Sequence, residues 1–258
     1  MIRTFNDTWT MTKRSLRHIV RSPDTIITVV LSPIALMLMF VYVLGGALGQ
    51  QTGSIKYVNF ITPGIIVMTV ISGIAYAAFR LNTDIQRGII NRFRTMPVAP
   101  SSILSGQAVS STLSNLFSSL LVLAVAFAIG FRTSAGLVDW LLFGGLVTLF
   151  TLATTWMAMF FGLKAKTAEG AGSFSYILML LIFISPSFVP TSSMTPLLRG
   201  FAENQPLTPI IETMRSLLTT GMPGNKAWLA LVWSAGILVI MYALAIWQYK
   251  RKTIVINN

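Results

Sequence analysis

The sequence of 258 residues contains no cysteine and one histidine, His18. Without cysteine the chain forms no disulfide bond, has no thiol nucleophile and offers no thiolate to a metal ion. A single histidine cannot provide a cluster of imidazole ligands. The sequence therefore predicts neither thiol catalysis nor a metal site built from cysteine or histidine.

Charged residues are also scarce. An ordinary soluble domain has about 25% of them, whereas here they make up 10% of the chain and hydrophobic residues make up 54%. The 19 Lys and Arg residues outnumber the 7 Asp and Glu residues. They lie in short clusters at the ends of apolar runs, where cytoplasmic loops meet anionic headgroups. This distribution favours a polytopic membrane protein over a nucleic-acid-binding protein.

Several catalytic motifs are missing as well. The sequence has no G-x-x-x-x-G-K-[ST] phosphate loop, so we do not expect this chain itself to bind ATP in that way. It has no G-x-S-x-G motif, no H-E-x-x-H motif and no carboxylate pair that would support hydrolysis. We therefore expect a protein that is not an enzyme by itself.

Six apolar runs are long enough to cross a bilayer, which takes about 20 helical residues. They lie at 25–48, 58–79, 103–130, 138–163, 171–190 and 227–249. The runs predict an all-α protein with six transmembrane helices. Their central portions contain no ionisable residue, whereas ion-driven carriers usually place Asp, Glu or His there. A secondary transporter is therefore disfavoured, and transport would need a force applied from the cytoplasm by another protein.

The Lys and Arg residues also predict the orientation. Fourteen of them fall before the first span, after the second, after the fourth or after the sixth, and five fall on the opposite side. The side richer in cations faces the cytoplasm. Both termini are thus predicted to be cytoplasmic, with 250–258 as a cytoplasmic tail.

The segment 4–22 is predicted to be an amphipathic helix. Its apolar residues and its cations fall on adjacent arcs: Phe5, Trp9, Leu16 and Val20, then Lys13, Arg14, Arg17 and Arg21. A helix of this kind lies in the headgroup plane, with its aromatic and apolar side chains in the interface and its cations towards phosphates.

The stretch between the second and third spans is amphipathic too. Three apolar residues recur at every fourth position and two cations lie on another face: Ile85, Ile89 and Phe93, then Arg87 and Arg94. Thr83 is a predicted N-cap, Asp84 suits a first helical turn, and Pro97 stops the helix. We interpret this stretch as a docking element for a partner protein. The alternative is an ordinary solvated loop.

The interval 186–226 is rich in proline yet stays apolar and helical in parts. Short helices that dip into the outer leaflet and return, at 191–222, fit this pattern because non-helical backbone at that depth must be buried in protein or line water. The predicted outer gate consists of Phe188, Pro190, Met194, Leu197, Glu212 and Arg215. Glu212 and Arg215 are neighbours at i,i+3 and would hold the two helices together. Simple packing is the alternative.

The third span is polar for a transmembrane helix. Its polar side chains suit either contact with neighbouring helices or a water-lined path. The candidate path residues are Ser111, Asn115 and Ser118. In the first span, Gly45 and Gly49 form a G-x-x-x-G pattern, a weak signal of close helix approach.

Two segments carry a family resemblance. One is Gly88-Ile-Ile-Asn91-Arg92-Phe-Arg94-Thr-Met-Pro97-Val98, and the other extends from Ser185 to Gly221. With them, nearly the whole chain resembles the membrane subunits of ABC-2-type exporters, nearest to the daunorubicin-resistance-like drug-efflux permeases of bacteria. Asn91 departs from the family pattern, which often has an acidic residue there.

The resemblance implies a single transmembrane domain over 1–258, in the plasma membrane of a bacterium. Two permease copies would assemble with two separate ATPase subunits, which would hold ATP and Mg²⁺. The segment 4–22 would be an interface helix, with Trp9, Lys13, Arg14 and Arg17. The segment 82–98 would be the coupling helix on the ATPase. Its contact residues would be Asp84, Ile85, Arg87, Gly88, Ile89, Asn91, Arg92, Phe93, Arg94 and Pro97.

The resemblance also implies outward movement of a hydrophobic or amphipathic compound, such as a drug, an antibiotic or a lipid-like molecule. Two alternatives stay open at this stage. One is a permease of the same fold that exports a lipid-linked polysaccharide or a teichoic-acid-type polymer. The other is a membrane scaffold or sensor that is linked to an ATPase and transports nothing.

Overall fold

A computed structural model describes residues 27–49, 56–88 and 100–255, and this part of the chain consists of helices and connecting turns. The helices are α1 (Val29–Leu48), α2 (Tyr57–Gln86), α3 (Pro100–Ala128), α4 (Leu137–Lys164), α5 (Ala168–Gly172), α6 (Phe174–Phe183), α7 (Pro196–Asn204), α8 (Leu207–Thr220) and α9 (Ala227–Val255). Segments 1–26, 50–55, 89–99 and 256–258 lie outside the described residues. The predicted interface helix 4–22 therefore lies outside them.

Helix α2 is the centre of the bundle. Its residues are apolar on all sides from Tyr57 to Phe79, and a helix of that composition is buried on all sides. Helices α3, α4, α5, α6 and α8 all pack against it. At about 1.5 Å per residue, its 30 residues span about 45 Å, the thickness of a bilayer with its headgroups. The remaining helices are thus arranged around one buried transmembrane rod.

Small residues let the helices approach α2 closely. A Cβ on Gly162 of α4 would lie 3.0 Å from the Ala78 carbonyl oxygen, and one on Gly172 of α5 would lie 3.3 Å from that of Ala75. Close approach through small residues is the usual way in which membrane helices pack. The two glycines of the G-x-x-x-G pattern at the end of α1 also permit a close approach, because Tyr57 of α2 lies against Gly45 and Gly49.

Five of the helices are long and apolar enough to cross a membrane: α1, α2, α3, α4 and α9. They coincide with five of the six predicted spans. Helix α9 also carries Trp228 and Trp247 near its two ends, as expected for side chains in the two interfaces. The helix continues to Val255, so the first residues of the predicted tail 250–258 extend α9.

The predicted fifth span, 171–190, differs from the structure. Helices α5 and α6 together cover only Ala168–Phe183 and break at Ser173. Pro186 lacks a backbone N–H, and a residue before a proline is disfavoured in helical geometry, so the helix ends ahead of Ser185. The Ser185 hydroxyl instead donates to the Ile182 carbonyl at 2.6 Å. The expectation of a full span at 171–190 is therefore wrong in length.

Candidate functional site

One cluster joins the end of α2 to the end of α4. The Asn82 side-chain amide donates to the carbonyls of Gly162 (2.9 Å) and Ala165 (2.8 Å). Gln86 donates to the Asn82 side-chain oxygen (2.8 Å) and to the Lys166 carbonyl (3.0 Å). Asn82 is 1% exposed, so its amide groups depend on these partners. We call this four-bond network the Asn82–Gln86 junction.

The Asn82–Gln86 junction lies within the predicted coupling helix 82–98, but the first residues of that segment belong to the end of α2. Thr83 is not an N-cap: it lies in the last turn of α2, and its hydroxyl donates to the Phe79 carbonyl at 3.0 Å. Asp84 belongs to the same turn, and Ile85 packs against the core. A pattern that suited a new first turn is in fact the last turn of a transmembrane helix.

Gly88 ends that helix. Its φ is +68°, in the left-handed region where glycine is favoured, and its N–H donates to the Ile85 carbonyl at 3.0 Å. Within the described part of the chain, and apart from its own neighbours, no atom lies within 4 Å of the position that a Cβ would occupy. Gly88 thus follows the last turn of α2 in left-handed geometry, with the exposed Arg87 beside it. The other predicted coupling residues lie outside the described residues: Ile89, Asn91, Arg92, Phe93, Arg94 and Pro97.

A second cluster lies at the opposite end of α2, where α7 and α8 form a hairpin. Helix α8 buries one amphipathic face against the bundle, through Ile210, Met214, Leu217 and Leu218. Hydroxyls of the loop before α4 bind its last turns: Thr133 and Ser134 donate to the carbonyls of Leu218 and Thr219, both at 2.5 Å. The predicted helical interval 191–222 therefore contains two helices, of which α8 is fixed to the bundle by these contacts.

Arg215 is the central cation of this hairpin. Its Nε donates to the Phe60 carbonyl of α2 at 3.0 Å, and its Nη2 donates to the Pro186 carbonyl beyond α6. Its guanidinium carbon lies 3.8 Å from the centroid of the Phe60 ring. Burial lowers the pKa of Arg215 to about 10, which leaves the side chain charged at neutral pH. Arg215 therefore fixes three elements to one another: α8, α2 and the broken end of α6.

Glu212 has a different partner. Its carboxylate lies 3.2 Å from the Lys226 ammonium group. The sequence placed Glu212 and Arg215 together because of their i,i+3 spacing, whereas the structure gives Arg215 carbonyl acceptors. Each residue anchors the hairpin through its own contact.

The apolar residues of the predicted outer gate differ in how far they are buried. Phe188 is 4% exposed and stacks on Phe40 of α1 (4.6 Å between ring centroids) and on Phe183 (5.3 Å). Its carbonyl accepts a hydrogen bond from the Tyr57 hydroxyl at 3.2 Å. Leu197, by contrast, is 87% exposed. The other two apolar residues of the predicted gate are half-buried: Pro190 and Met194.

The candidate path residues Ser111, Asn115 and Ser118 are all buried. Asn115 fills the space beside Gly73 so closely that a Cβ on Gly73 would lie 1.6 Å from its Oδ1 atom. Thr112, which follows Ser111 in α3, contacts Thr155 of α4, with 3.4 Å between the two hydroxyl oxygens. The polar side of α3 thus packs against α2 and α4 in this single chain.

Sequence reasoning missed several residues of these clusters. Asn82, Gln86, Tyr57 and Gly73 were not singled out, although each makes or permits a contact described above. A signal existed for Asn82, since an amide in an apolar helix needs buried partners. Gly73 carries no such signal, because its partner lies 42 positions away in the chain.

Comparison with known proteins identifies the family. Residues 6–219 match the model of the ABC-2 type transporter family. The chain belongs to this family. It is an ABC-2 permease, and the matched region includes α1 to α7, most of α8 and the Asn82–Gln86 junction.

Two relatives of this permease are named as drug-resistance permeases. The chain is 28% identical over 233 residues to the daunorubicin resistance ABC transporter permease protein DrrB1 of Streptomyces coeruleorubidus, covering 89% of this chain and 81% of that protein. It is 25% identical over 242 residues to the probable doxorubicin resistance ABC transporter permease protein DrrC of Mycobacterium tuberculosis, covering 94% and 87%. A putative transport permease, ycf38 of Pyropia yezoensis, is 23% identical over 210 residues, covering 80% and 72%.

Proposed function

We propose that this ABC-2 permease is the membrane subunit of an ATP-driven exporter that moves a hydrophobic or amphipathic compound outward. Two copies would assemble with two separate ATPase subunits, which bind ATP and Mg²⁺, in a bacterial plasma membrane with both termini cytoplasmic. The drug-resistance relatives support the substrate class. The match over 6–219 supports the partnership with an ATPase, because this chain has no phosphate loop of its own.

The observation that carries the proposal is the Asn82–Gln86 junction. The predicted coupling segment 82–98 begins inside α2, and the amides of Asn82 and Gln86 connect that end to backbone carbonyls at 162, 165 and 166. A displacement of the segment by an ATPase would therefore move α2 and the end of α4 together. Because α2 is packed on most other helices, the movement would reach the opposite end of the bundle.

The hairpin contacts support an outer gate at that opposite end. Arg215 binds a carbonyl of α2 and a carbonyl of the segment after α6. A shift of α2 along its axis would strain or break the bond to Phe60. In this proposal the hairpin is thus the element that responds to α2, and the buried Phe188 closes the path between α1 and α6.

The apolar surface of this chain supports a larger assembly. Most of the apolar window of α1 and of α9 is not buried among the described residues, whereas most of that of α2 is buried. Lipid covers part of such a surface, and a second permease copy would cover the rest. The stoichiometry would be measured directly on the complex after copurification with its ATPase.

The deciding experiment is reconstitution. The permease is copurified with the ATPase encoded beside it and placed in liposomes, and ATP hydrolysis and uptake of daunorubicin into inside-out vesicles are measured. We expect daunorubicin to stimulate hydrolysis and ATP to drive its accumulation. A stable complex that hydrolyses ATP but moves neither daunorubicin nor a panel of hydrophobic dyes would instead support the scaffold hypothesis.

A further inference from the structure

A small polar pocket lies between α1, α2 and α3. It is lined by Val29, Gly73, Tyr76, Ala77, Arg80, Ser111, Ser114 and Asn115, and its volume is about 20 Å³. A cavity needs about 10–15 Å³ to hold one water-sized group. The pocket therefore has room for one oxygen-sized atom of a ligand.

The lining residues divide into a floor and a mouth. The floor is buried and includes Gly73, Ser111 and Asn115, whereas Tyr76, Arg80 and Ser114 are half-exposed. The pocket is thus open on the side where Arg80 lies. Arg80 precedes the end of α2 at Gln86 by six residues, which is about 9 Å along the axis. That depth lies near the boundary between hydrocarbon and headgroups.

The floor contains a donor without an acceptor. Asn115 is 2% exposed, and its Nδ2 atom has no hydrogen-bond partner among the described residues. Its carboxamide group lies against Gly73, with Oδ1 nearest to the position of a Cβ. A buried N–H group without a partner is costly, and native structures rarely leave one unsatisfied. Because Asn115 lines the pocket, an acceptor atom of a ligand bound there would satisfy this group.

The other polar lining groups also offer hydrogens. The guanidinium of Arg80 carries five N–H donors and no acceptor, and the hydroxyls of Tyr76, Ser111 and Ser114 can each donate. Arg80 and Tyr76 interact with other protein groups as well, but a guanidinium can serve a second acceptor. Among the described residues that line the pocket there is no carboxylate. Asp84, the next acid along α2, follows Arg80 by one turn, towards the helix end.

We propose that this pocket binds the oxyanion of an amphiphile, a phosphate or a carboxylate, with one oxygen at Asn115 and the negative charge at Arg80. This site would take an acidic amphiphile of the membrane rather than the exported compound, because daunorubicin carries an amine and is a cation at neutral pH. Val29 of α1 forms an apolar wall, and the exposed apolar side chains of α1 and α3, including Leu31 and Phe117, continue outside it. An acidic headgroup would thus enter the pocket while its chain stays in the hydrocarbon.

The test uses three probes on the full-length permease in a neutral maltoside detergent. They are dodecyl phosphate, dodecyltrimethylammonium with the same chain and the opposite charge, and inorganic phosphate without a chain. Binding is measured by titration calorimetry. We expect saturable binding of dodecyl phosphate, at least tenfold weaker binding of the ammonium probe, and at least tenfold weaker binding of inorganic phosphate.

Three variants locate the site. Asn115→Asp keeps the shape of the side chain and adds a negative charge, Arg80→Gln removes the cation, and Lys164→Gln removes a cation from the same end of the bundle as a control. We expect the first two to weaken dodecyl phosphate binding at least tenfold and the control to leave it within twofold. Each variant is first checked for an unchanged elution volume. If Asn115→Asp does not fold, Ser111→Ala replaces it, with an expected weakening of threefold or more.

Each contrary result has a definite meaning. Equal binding in Arg80→Gln and in the wild type would overturn the site. Equal affinity for inorganic phosphate would overturn the amphiphile and indicate a free-anion site. Binding is measured without an ATPase, so a failed reconstitution with intact dodecyl phosphate binding would count against the export function alone. Export of daunorubicin with no binding of dodecyl phosphate would count against the pocket alone.

Discussion

Arg215 lies over the ring of Phe60 at 3.8 Å and also donates to the carbonyl of that residue at 3.0 Å. The two residues are 155 positions apart in the chain, one in the hairpin and the other in the central helix. A guanidinium binds carbonyl oxygens and an aromatic face at the same time because its donors lie in its plane and its charge lies over the ring. This pair therefore joins α8 to α2 through both a hydrogen bond and a cation–π contact.

Replacing Arg215 should therefore destabilise the permease. Arg215→Met keeps much of the length of the side chain but leaves the carbonyls of Phe60 and Pro186 without their donor. We expect a loss of about 2 kcal/mol in the free energy of unfolding, typical of a hydrogen bond to a charged group. Thermal unfolding in detergent measures it. The free energy of unfolding of Arg215→Lys should lie between those of Arg215→Met and the wild type, because an ammonium group is a donor but lacks the planar fork of a guanidinium.

The matched control is Glu212→Gln on the same helix. The Glu212–Lys226 ion pair is partly exposed, and exposed pairs contribute about 0–1 kcal/mol. We expect a small decrease in melting temperature, which disappears in high salt because salt screens exposed charges. A loss as large as that of Arg215→Met would show that the ion pair, rather than the carbonyl contacts, stabilises the hairpin.

The Asn82–Gln86 junction should be needed for coupling. Gln86→Met removes the bonds to Asn82 and Lys166 at an exposed position, so the helix itself should persist. We expect the ATPase to copurify with this variant and to hydrolyse ATP, while daunorubicin accumulation falls at least fivefold. The comparison is made between hydrolysis and uptake in the same vesicles.

Thr83→Ala serves as the control for the junction. The Thr83 hydroxyl bonds only within its own helix in the described structure, so its removal should leave both hydrolysis and uptake within twofold of the wild type. Uptake that survives in Gln86→Met would show that the two Gln86 bonds are not needed for coupling, because Asn82 still joins α2 to the carbonyls of Gly162 and Ala165 in that variant.

Much of the fold could be predicted from the sequence because length and hydropathy are local properties. The runs that became α1 to α4 and α9 contain enough consecutive apolar residues to cross a bilayer. The same reasoning predicted the wrong length for the helix in the run 171–190. The hydropathy of this run suits a span, but the helix ends ahead of Pro186, before the run ends. The contact between Ser187 and Gly64 of α2 is visible only in the fold.

The sites were harder to predict because their partners are distant in sequence. Glu212 and Arg215 are local neighbours, so spacing suggested that they act together. The acceptors of Arg215 lie at residues 60 and 186 instead. Thr83 and Asp84 have the residue types of a helix start, yet they lie in the last turn of α2, since the helix continues without a break to Gln86. Side-chain type alone does not distinguish a first turn from a last one.

Gly88 should resist substitution for backbone reasons alone. Its φ of +68° is unfavourable for other residues by about 1–2 kcal/mol, while none of the described residues would clash with a Cβ there. We expect Gly88→Val to lower daunorubicin uptake and Gly88→Asn to be milder, because asparagine tolerates left-handed geometry. Uptake in inside-out vesicles measures both. Equal uptake in the valine variant and the wild type would mean that the turn after α2 tolerates rearrangement.

The contact between Gly73 and Asn115 gives the sharpest prediction about packing in the central helix. A methyl group on Gly73 would overlap Oδ1, 1.6 Å away, and Cγ, 2.6 Å away. Overpacking a tight interior costs about 1–3 kcal/mol, so Gly73→Ala should lower the melting temperature and the yield of folded protein. Gly144→Ala, where nothing lies within 4 Å, is the matched control and should be neutral.

The double variant distinguishes a local clash from a general intolerance of α2. Asn115→Ala alone should destabilise the bundle by leaving a cavity. Combined with Gly73→Ala, it should restore stability, because the new methyl group then occupies the space that the amide has left. Residues in contact show coupling of about 0.5–3 kcal/mol in such cycles. Strictly additive effects on the melting temperature would contradict the contact and, with it, the position of Asn115 at the floor of the pocket.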